Sequence, residues 1–352
     1  LNGRLYFGNN APFLQIPFNN TALWAGRYYW PLGPFPAIIL LPFVAIFGTA
    51  FLQGYVSFFL TILNFYLLHK IAKKFNFNNN NSLWLAFFFI FGTIYLGVAA
   101  LSYSWYFAQV MATTFLILSL NEFLGKKRWW FIGLFLASAV ATRANLILAS
   151  LFFAIMGLLE NISWKKKAKN LFFIFLPIFI VILLLFLYNW ARFGNIFEAG
   201  YLLQNIPPAP AADRTYGLFN LKHVPGNLFF LLFRGPDPVI VPGTYILTLP
   251  YIIPNKMGLG IFFTSPLFIY LFSAPLRNKL VIASAITALL LLLSIITYYG
   301  IGAEQLGYRY ALDFYPFLFV ILCAAFSGKL PIKAKILIFF SILFNWYMLL
   351  NF

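Results

Sequence analysis

Charged residues are scarce in this chain. They make up 9% of its 352 residues, whereas 62% are hydrophobic and 21% are aromatic. A water-soluble domain carries roughly a quarter charged residues, because charge keeps a folded surface in water. This scarcity excludes an ordinary water-soluble fold and predicts that lipid surrounds most of the chain.

Residues and motifs typical of several enzyme and transporter classes are also missing. With one cysteine, Cys323, and two widely spaced histidines, His69 and His223, the sequence excludes internal disulfides and Cys-based zinc sites. It has no Walker lysine loop, no His-Glu-x-x-His and no Gly-x-Ser-x-Gly. Paired acids within apolar runs, which many proton-coupled transporters carry, are absent as well.

Apolar stretches close to 20 residues long are abundant, and a helix of that length crosses a ~30 Å hydrocarbon core. They predict an all-α integral membrane protein with about ten transmembrane helices, forming one domain over residues 1–352. Short interfacial helices and one large outer loop complete this predicted fold. The predicted spans are 49–70, 83–101, 105–123, 129–143, 145–159, 171–190, 260–275, 280–299, 309–326 and 335–352.

The cations indicate how these spans are oriented. The net charge is +17, and fifteen of the 24 Lys and Arg residues lie in short segments between apolar runs, as membrane insertion produces. We therefore expect a multi-pass protein of a cell membrane, in bacteria the inner membrane, with lipid headgroups and not nucleic acid as partners. The predicted cytoplasmic cations are Lys70, Lys73, Lys74, Lys126, Lys127, Arg128, Lys165, Lys166, Lys167, Lys169, Arg277, Lys279, Lys329, Lys333 and Lys335.

Two segments on the same side of a membrane must be joined by an even number of crossings. This rule adds a prediction about residues 129–159, which connect two basic segments. This stretch must cross outward and return, so it should be two short helices broken around Arg143. The same rule places residues 1–48 outside, with Ala37–Phe47 in the interface, and predicts one further helix upstream of Leu1. Residues 191–259 become a large non-cytoplasmic loop, in which the uncharged run 238–254 hugs the surface or re-enters the membrane.

Two clusters of polar and aromatic residues are candidate binding surfaces. Arg27, Tyr28 and Tyr29 precede a proline-rich entry into the bilayer and suit stacking on a sugar ring and contact with a phosphate. The alternative for them is an interfacial aromatic belt with one snorkelling arginine. In the second cluster, Glu304, Tyr308, Arg309 and Asp313, the arginine is predicted to meet a lipid phosphate, or else to form an i,i+4 ion pair with Asp313.

Two further arginines stand at the predicted outer ends of spans. Arg143 is a candidate phosphate ligand, although it is equally suited to bind backbone carbonyls of two broken helices. Arg192 is a candidate lining residue, or an anchor that pairs with Glu198 to hold the outer loop. The group Lys222, His223, Arg234 and Asp237 predicts no mechanism, because a lone loop histidine is usually just solvated.

Taken together, these motifs resemble the GT-C superfamily of polytopic glycosyltransferases, in particular bacterial members related to protein mannosyltransferases. The resemblance covers nearly the whole chain and depends on the order and spacing of four motifs. They are Gly26-Arg27-Tyr28-Tyr29-Trp30-Pro31-Leu32-Gly33-Pro34 with Leu41-Pro42-Phe43 and Phe47-Gly48, Ala141-Thr142-Arg143-Ala144-Asn145, Tyr188-Asn189-Trp190-Ala191-Arg192-Phe193-Gly194 with Gly200-Tyr201, and Gly307-Tyr308-Arg309-Tyr310 leading to Pro316.

The resemblance implies transfer of a sugar from a polyprenyl-phosphate carrier to a lipid, glycan or protein acceptor outside the cytoplasm. Arg309 and then Arg143 would stabilise the departing phosphate, while Arg27, Tyr28, Tyr29, Glu304, Tyr308, Asp313 and Arg192 would line the substrates. In similar proteins an acid just after the first helix is the base or a metal ligand. It would lie upstream of Leu1 here, so the catalytic acid is unassigned, no metal ligand is identified, and a divalent metal is an open expectation. The alternative function is a multi-span transporter or lipid flippase.

Overall fold

The computed structural model describes residues 3–8, 11–101 and 103–352, and most of them are helical. Two antiparallel strand pairs, β1 (Ala22–Trp24) with β2 (Arg27–Tyr29) and β3 (Asp237–Ile240) with β4 (Leu247–Ile253), are the regular β-structure of these residues. The α-helices in chain order are α1 (Phe35–Phe47), α2 (Gln53–Lys73), α3 (Asn79–Phe91), α4 (Tyr95–Leu101), α5 (Ser104–Leu124), α6 (Trp129–Thr142), α7 (Ser150–Leu158), α8 (Trp164–Phe193), α9 (Pro208–Arg214), α10 (Val224–Leu232), α11 (Ile261–Thr264), α12 (Lys279–Ile296), α13 (Tyr315–Phe326) and α14 (Ile332–Leu350).

Among the described residues, five helices are long and apolar enough to cross a membrane, namely α2, α5, α8, α12 and α14. The pair α3 and α4 gives a sixth if it counts as one span, bent by 56° at its break. These helices coincide with six of the ten predicted spans. The architecture is therefore compatible with an all-α membrane protein, and the other four predicted spans are not helices of spanning length.

The predicted span 260–275 is wrong as a continuous helix. It consists of the four-residue α11 followed by a 3-10 helix from Pro266 to Ser273. Pro266 cannot donate a backbone hydrogen bond, so it interrupts the helical ladder. The Thr264 carbonyl accepts hydrogen bonds from Asn345 Nδ2 (2.7 Å) and Ser341 Oγ (3.2 Å) of α14. Because side chains satisfy this carbonyl, the irregular backbone can lie inside the protein.

The predicted span 309–326 is likewise shorter than expected. It begins with a 3-10 turn from Arg309 to Asp313 and continues as α13, which has 12 residues. An α-helix of that length reaches only about 18 Å, well short of a hydrocarbon core. Its side chains are nearly all buried, so α13 is a core helix surrounded by protein.

The two-helix hairpin predicted over residues 129–159 is confirmed. Helix α6 ends at Thr142, Arg143 is extended (φ −145°, ψ 107°), and a 3-10 turn over Ala144–Ala149 leads into α7. The two ends of the hairpin meet again: Lys127 Nζ lies 2.8 Å from Glu160 Oε1, and the Trp129 ring contacts Gly157. Arg143 therefore occupies the tip, far from both basic segments.

The long helices begin and end in different surroundings, and we call the two ends of the bundle the basic end and the cavity end. Lys70 and Lys73 are in the last turn of α2, whereas its first residue, Gln53, lines a cavity described below. Helix α8 likewise begins among lysines and ends at cavity-lining Arg192. Since a helix of 21 or 30 residues is about 30 or 45 Å long, the cations and the cavities lie at opposite ends.

The segments 1–48 and 191–259, which were predicted as outer loops, contain regular secondary structure. Residues 1–48 contain the β1–β2 pair and α1, a 13-residue apolar helix with Pro42 inside it. Segment 191–259 contains α9, α10 and the β3–β4 hairpin, so the uncharged run 238–254 forms an antiparallel hairpin and not a re-entrant helix. Whether either segment lies outside the cytoplasm stays a prediction.

Candidate functional site

Three cavities adjoin one another at the cavity end, and Tyr201 lines all of them. The lateral cavity (about 320 Å³) lies between α6 and α8 and is lined by Arg143, Tyr188 and Arg192. The central cavity (about 280 Å³) is lined by Trp105, Arg143, Asn145, Tyr298 and Tyr310. The rim cavity (about 690 Å³) is lined by Trp30, Tyr106, Glu304, Arg309 and Tyr310.

Arg143 at the hairpin tip forms a two-point ion pair with Asp313. Its Nε lies 2.9 Å from Oδ1 and its Nη2 lies 2.8 Å from Oδ2, while Asn145 Nδ2 donates to Oδ2 over 2.7 Å. The Asp313 side chain is 2% exposed, so three fixed donors satisfy a buried carboxylate. The alternative in which Asp313 pairs with Arg309 is wrong, and so is the alternative in which Arg143 binds the carbonyls of the broken helices.

Arg309 is buried at the wall of the rim cavity. Its Nη1 donates to the Ala303 carbonyl (3.3 Å), its Nη2 donates to the Tyr310 hydroxyl (3.2 Å), and its guanidinium stacks on the rings of Tyr106 and Tyr310. Its Nε is buried and has no hydrogen-bond partner among the described residues. An arginine at a cavity wall whose charge has no ion-pair partner among the described residues is a suitable anion ligand.

Arg192 is the corresponding arginine of the lateral cavity, and Glu198 acts on its charge electrostatically. Its Nη1 donates to the Trp30 carbonyl and its Nη2 to Asn189 Oδ1, both over 2.8 Å, and the guanidinium lies 3.8 Å from the centre of the Tyr188 ring. Its Nε is also without a partner among the described residues. The expected direct ion pair with Glu198 does not form; the Glu198 carboxylate instead accepts a hydrogen bond from the Gly200 N–H.

The first predicted cluster does not line the site itself, but the residues that follow it do. Arg27 is exposed and stacks on Tyr6 (4.4 Å to the ring centre), Tyr28 lies in strand β2, and Tyr29 is buried against Phe193. None of the three lines the cavities described here, which are bounded instead by Trp30–Gly33. Gly33 is required there, because a Cβ at this position would lie 2.4 Å from the Ala141 carbonyl oxygen.

Two other predicted lining residues have different surroundings. Tyr308 is fully buried and donates a 2.6 Å hydrogen bond to Asn227 Oδ1, while Asn227 Nδ2 donates to the carbonyls of Ile296 and Tyr298. Tyr308 therefore supports the backbone at the end of α12 and is not a wall of the three cavities. Glu304 does line the rim cavity, where its carboxylate is half exposed and lies 3.2 Å from Lys256 Nζ.

Two aromatic walls, Trp105 and Tyr106, were not singled out from the sequence, whereas Tyr201 belongs to the Gly200-Tyr201 motif. Aromatic residues at the ends of apolar runs look like an interfacial belt, so their pattern carries no separate signal. Burial raises the pKa of the Tyr201 hydroxyl to about 12, although Arg143 acts in the opposite direction. This phenol therefore stays protonated at physiological pH and keeps its hydrogen-bond donor where the cavities meet.

An apolar groove leads along the side of the bundle to the lateral cavity. It has a volume of about 420 Å³ and is lined by α1, α6 and α8, including Phe35, Trp130, Ser138 and Ile180. Ala141 and Leu185 line both the groove and the lateral cavity, so the two spaces adjoin. The combination offers an elongated apolar space that ends next to two arginines.

Metal binding has no visible site in the part of the chain that the structure describes. No group of three or more His, Cys, Asp and Glu residues there is arranged to hold a metal ion. Asp313, the most buried of the predicted acids, is already saturated by Arg143 and Asn145. The expectation of a divalent metal therefore gains no ligand from these residues.

No family model, curated protein or solved structure matches this chain. The chemistry of the groove and its cavities is therefore the basis on which a function is inferred.

Proposed function

We propose that this chain is a membrane glycosyltransferase that moves a sugar from a polyprenyl-phosphate carrier to an acceptor hydroxyl. The observation that supports this most is the apolar groove that ends at an arginine-lined cavity and adjoins two aromatic cavities. A polyprenyl-phosphate sugar has the same three parts: a long apolar chain, an anion and a ring suited to aromatic stacking. The resemblance to the GT-C superfamily leads to the same substrate class.

In this proposal the carrier chain occupies the groove and its phosphate binds in the lateral cavity. Arg192 is the leading ligand there, because it lines the cavity and forms no direct ion pair with a carboxylate among the described residues. Arg143 lines the same cavity but its charge is compensated by Asp313. Arg309, the first choice from the sequence, lines the rim cavity, where it suits the sugar or an anionic acceptor.

The proposed reaction is a displacement at the anomeric carbon. The acceptor oxygen forms a bond to that carbon, the bond to the phosphate oxygen breaks, and the acceptor proton passes to a carboxylate. Negative charge grows on the leaving phosphate, so a positioned arginine stabilises the transition state more than the bound substrate. Among the described residues lining the three cavities, Glu304 is the one carboxylate, which makes Glu304→Gln the first variant to test for proton transfer.

We further propose that the basic end faces the cytoplasm and the cavity end faces the opposite side of a cell membrane, in bacteria the inner membrane. The separation of cations from cavities supports this orientation, since short basic loops are retained in the cytoplasm. Residues 1–48 and 191–259 would then be outer loops, and acceptors would be lipids, glycans or proteins outside the cytoplasm.

The test is a groove-blocking variant assayed in proteoliposomes. Ser138→Trp fills the apolar groove, and Leu183→Trp, on the exposed side of α8 and outside the groove lining, is its matched control. We expect Ser138→Trp to raise the KM for a long-chain polyprenyl-phosphate sugar about tenfold or more, with little change for a short-chain donor that does not need the groove. Absence of sugar transfer by the unmodified chain, or equal effects of both variants, contradicts the proposal.

A lipid flippase is the second candidate, because a groove joined to a polar cavity also suits passage of a lipid headgroup. The same proteoliposomes separate the two functions. A flippase moves the lipid between leaflets with its sugar bond intact, whereas a transferase releases polyprenyl phosphate and glycosylates the acceptor.

A further inference from the structure

The β3–β4 hairpin presents an apolar surface that no part of the described chain covers. Its uncharged run extends from Pro238 to Pro254, and every residue from 240 to 249, which we call the hairpin tip, is exposed. Tyr245 is 100% exposed, Leu249 74% and Ile246 65%. Contiguous apolar surface of this kind marks a contact with a membrane or another molecule.

The hairpin is polar at its base and apolar at its tip. Asp237, the first residue of β3, accepts hydrogen bonds from Arg234 and from Asn255 Nδ2, which tie both strands to the bundle. A two-stranded hairpin is only marginally stable in water by itself, so its tip needs a further contact. A fixed base with a projecting apolar tip is the arrangement of an interfacial anchor.

The surface next to the hairpin indicates what that contact is. Ile252 packs against a buried cluster that includes Met348 of α14, and the Tyr347 hydroxyl donates a hydrogen bond to the Pro250 carbonyl. Helix α14 is a candidate membrane span whose outer side exposes Phe339, Phe340 and Leu343. The hairpin therefore adjoins the last turns of a candidate span at the cavity end of the bundle.

We propose that the hairpin tip inserts into the headgroup and upper acyl region of the leaflet at the cavity end. Aromatic and aliphatic side chains without charge are favoured at that depth, and Tyr245 keeps its hydroxyl among headgroups. The partner is the lipid bilayer itself. This inference depends on membrane residence and is independent of glycosyl transfer.

The insertion has a consequence for the site, because the segment that follows β4 is hydrogen-bonded to the loop that carries Arg309. After β4, Leu259 exchanges backbone hydrogen bonds with Leu306 (3.0 Å) and Tyr308 (3.2 Å). Gln305 Nε2 also donates to the Met257 carbonyl over 2.8 Å. A tip held in the leaflet therefore positions the wall of the rim cavity relative to the membrane surface.

The test places an environment-sensitive fluorophore on the tip. Tyr245→Cys is labelled in a Cys323→Ser background and reconstituted into phosphatidylcholine vesicles, with Thr215→Cys, also exposed in segment 191–259, as the control. We expect lipids carrying a spin label near the headgroup to quench the label at 245 at least about twofold more than the label at 215, with iodide showing the reverse order. Tyr245 and Thr215 are both exposed, so labels there should not change the fold, and the buried Cys323→Ser change is common to both variants.

Equal quenching of both labels by iodide, with no quenching of position 245 by spin-labelled lipid, overturns the proposal. So does a label that is iodide-accessible in pure lipid vesicles but protected in native membranes, because that result assigns the tip to a protein partner. Neither measurement uses a sugar donor, so the result is separate from the outcome of the activity assay.

Discussion

The guanidinium of Arg143 binds both carboxylate oxygens of Asp313, a residue 170 positions later in the chain, with atom separations of 2.9 and 2.8 Å. This pair joins the tip of the α6–α7 hairpin to the turn before α13. Arg143 also lines the central cavity, together with Tyr310. One contact therefore fixes the relative position of two elements that build the candidate site.

The Arg143–Asp313 pair should show strong coupling in a double-mutant cycle. Asp313→Asn leaves Arg143 without its counter-charge and should lower the unfolding free energy by about 3 kcal/mol. This is the low end of the cost of breaking a buried ion pair, because Arg143 faces a cavity. The double variant Arg143→Met/Asp313→Asn removes both charges and should cost less than the two single changes together. Denaturant unfolding in detergent measures this, and additive losses would show that the pair is not coupled.

The arginines of the lateral and rim cavities should differ in their effect on a lipid-linked donor. Arg192→Lys removes the planar fork beside the groove, so we expect turnover per folded molecule to fall on the order of 10²-fold. Arg309→Lys should lower turnover less, and Arg309→Ala more than Arg309→Lys. The assay is release of polyprenyl phosphate normalised to folded protein, with Arg128→Lys at the basic end as control.

A larger loss of turnover for Arg309→Lys than for Arg192→Lys would assign the carrier phosphate to Arg309 at the rim cavity. Arg309 is the phosphate ligand that the sequence predicts. Unchanged normalised turnover in both Arg192→Lys and Arg309→Ala would remove both side chains from the mechanism, because a purely structural arginine affects the yield of folded protein instead.

Gly133 should be essential for the packing of the hairpin on α8. A Cβ at this position would lie 2.2 Å from the Phe173 carbonyl oxygen, so Gly133→Ala should lower the unfolding free energy by about 1–3 kcal/mol. The matched control is Gly226→Ala in α10, where nothing lies within 4 Å of the added methyl group. Helix propensity should make that variant neutral or up to about 1 kcal/mol more stable. Equal thermal stability of the two variants in detergent would contradict the close approach of α6 and α8.

Cysteine accessibility should separate the basic end from the cavity end. Cys323 is buried, and single cysteines at the exposed positions Asn79 and Lys166 should react with an impermeant maleimide only from the cytoplasmic side. Cysteines at Thr215 and Lys222 should react only from the other side. Gly302 is unsuitable for this test, because its φ of +88° disfavours a side chain. Labelling of position 166 from outside would remove the topological basis of the hairpin.

The sequence by itself determined the mostly helical, apolar character of the protein, most of the long helices and the two-helix hairpin. Runs of about 20 apolar residues carry their own signal, since lipid requires each spanning segment to satisfy its backbone internally. The hairpin followed from basic segments on both sides of residues 129–159, which is again a local pattern. Where the local pattern was only apolar, as in residues 260–275, length alone was misleading, and Pro266 with partners on α14 produced irregular backbone instead.

Only the tertiary structure decided which polar groups meet. Asp313 is four residues from Arg309 and 170 from Arg143, yet it pairs with Arg143, because the 3-10 turn and the hairpin tip bring those two side chains together. The same holds for Tyr201, which lines three cavities although the sequence indicated only a motif that follows the end of a span. Burial makes an unpaired charge costly, so each buried ion takes the partner that packing delivers and not the one nearest in sequence.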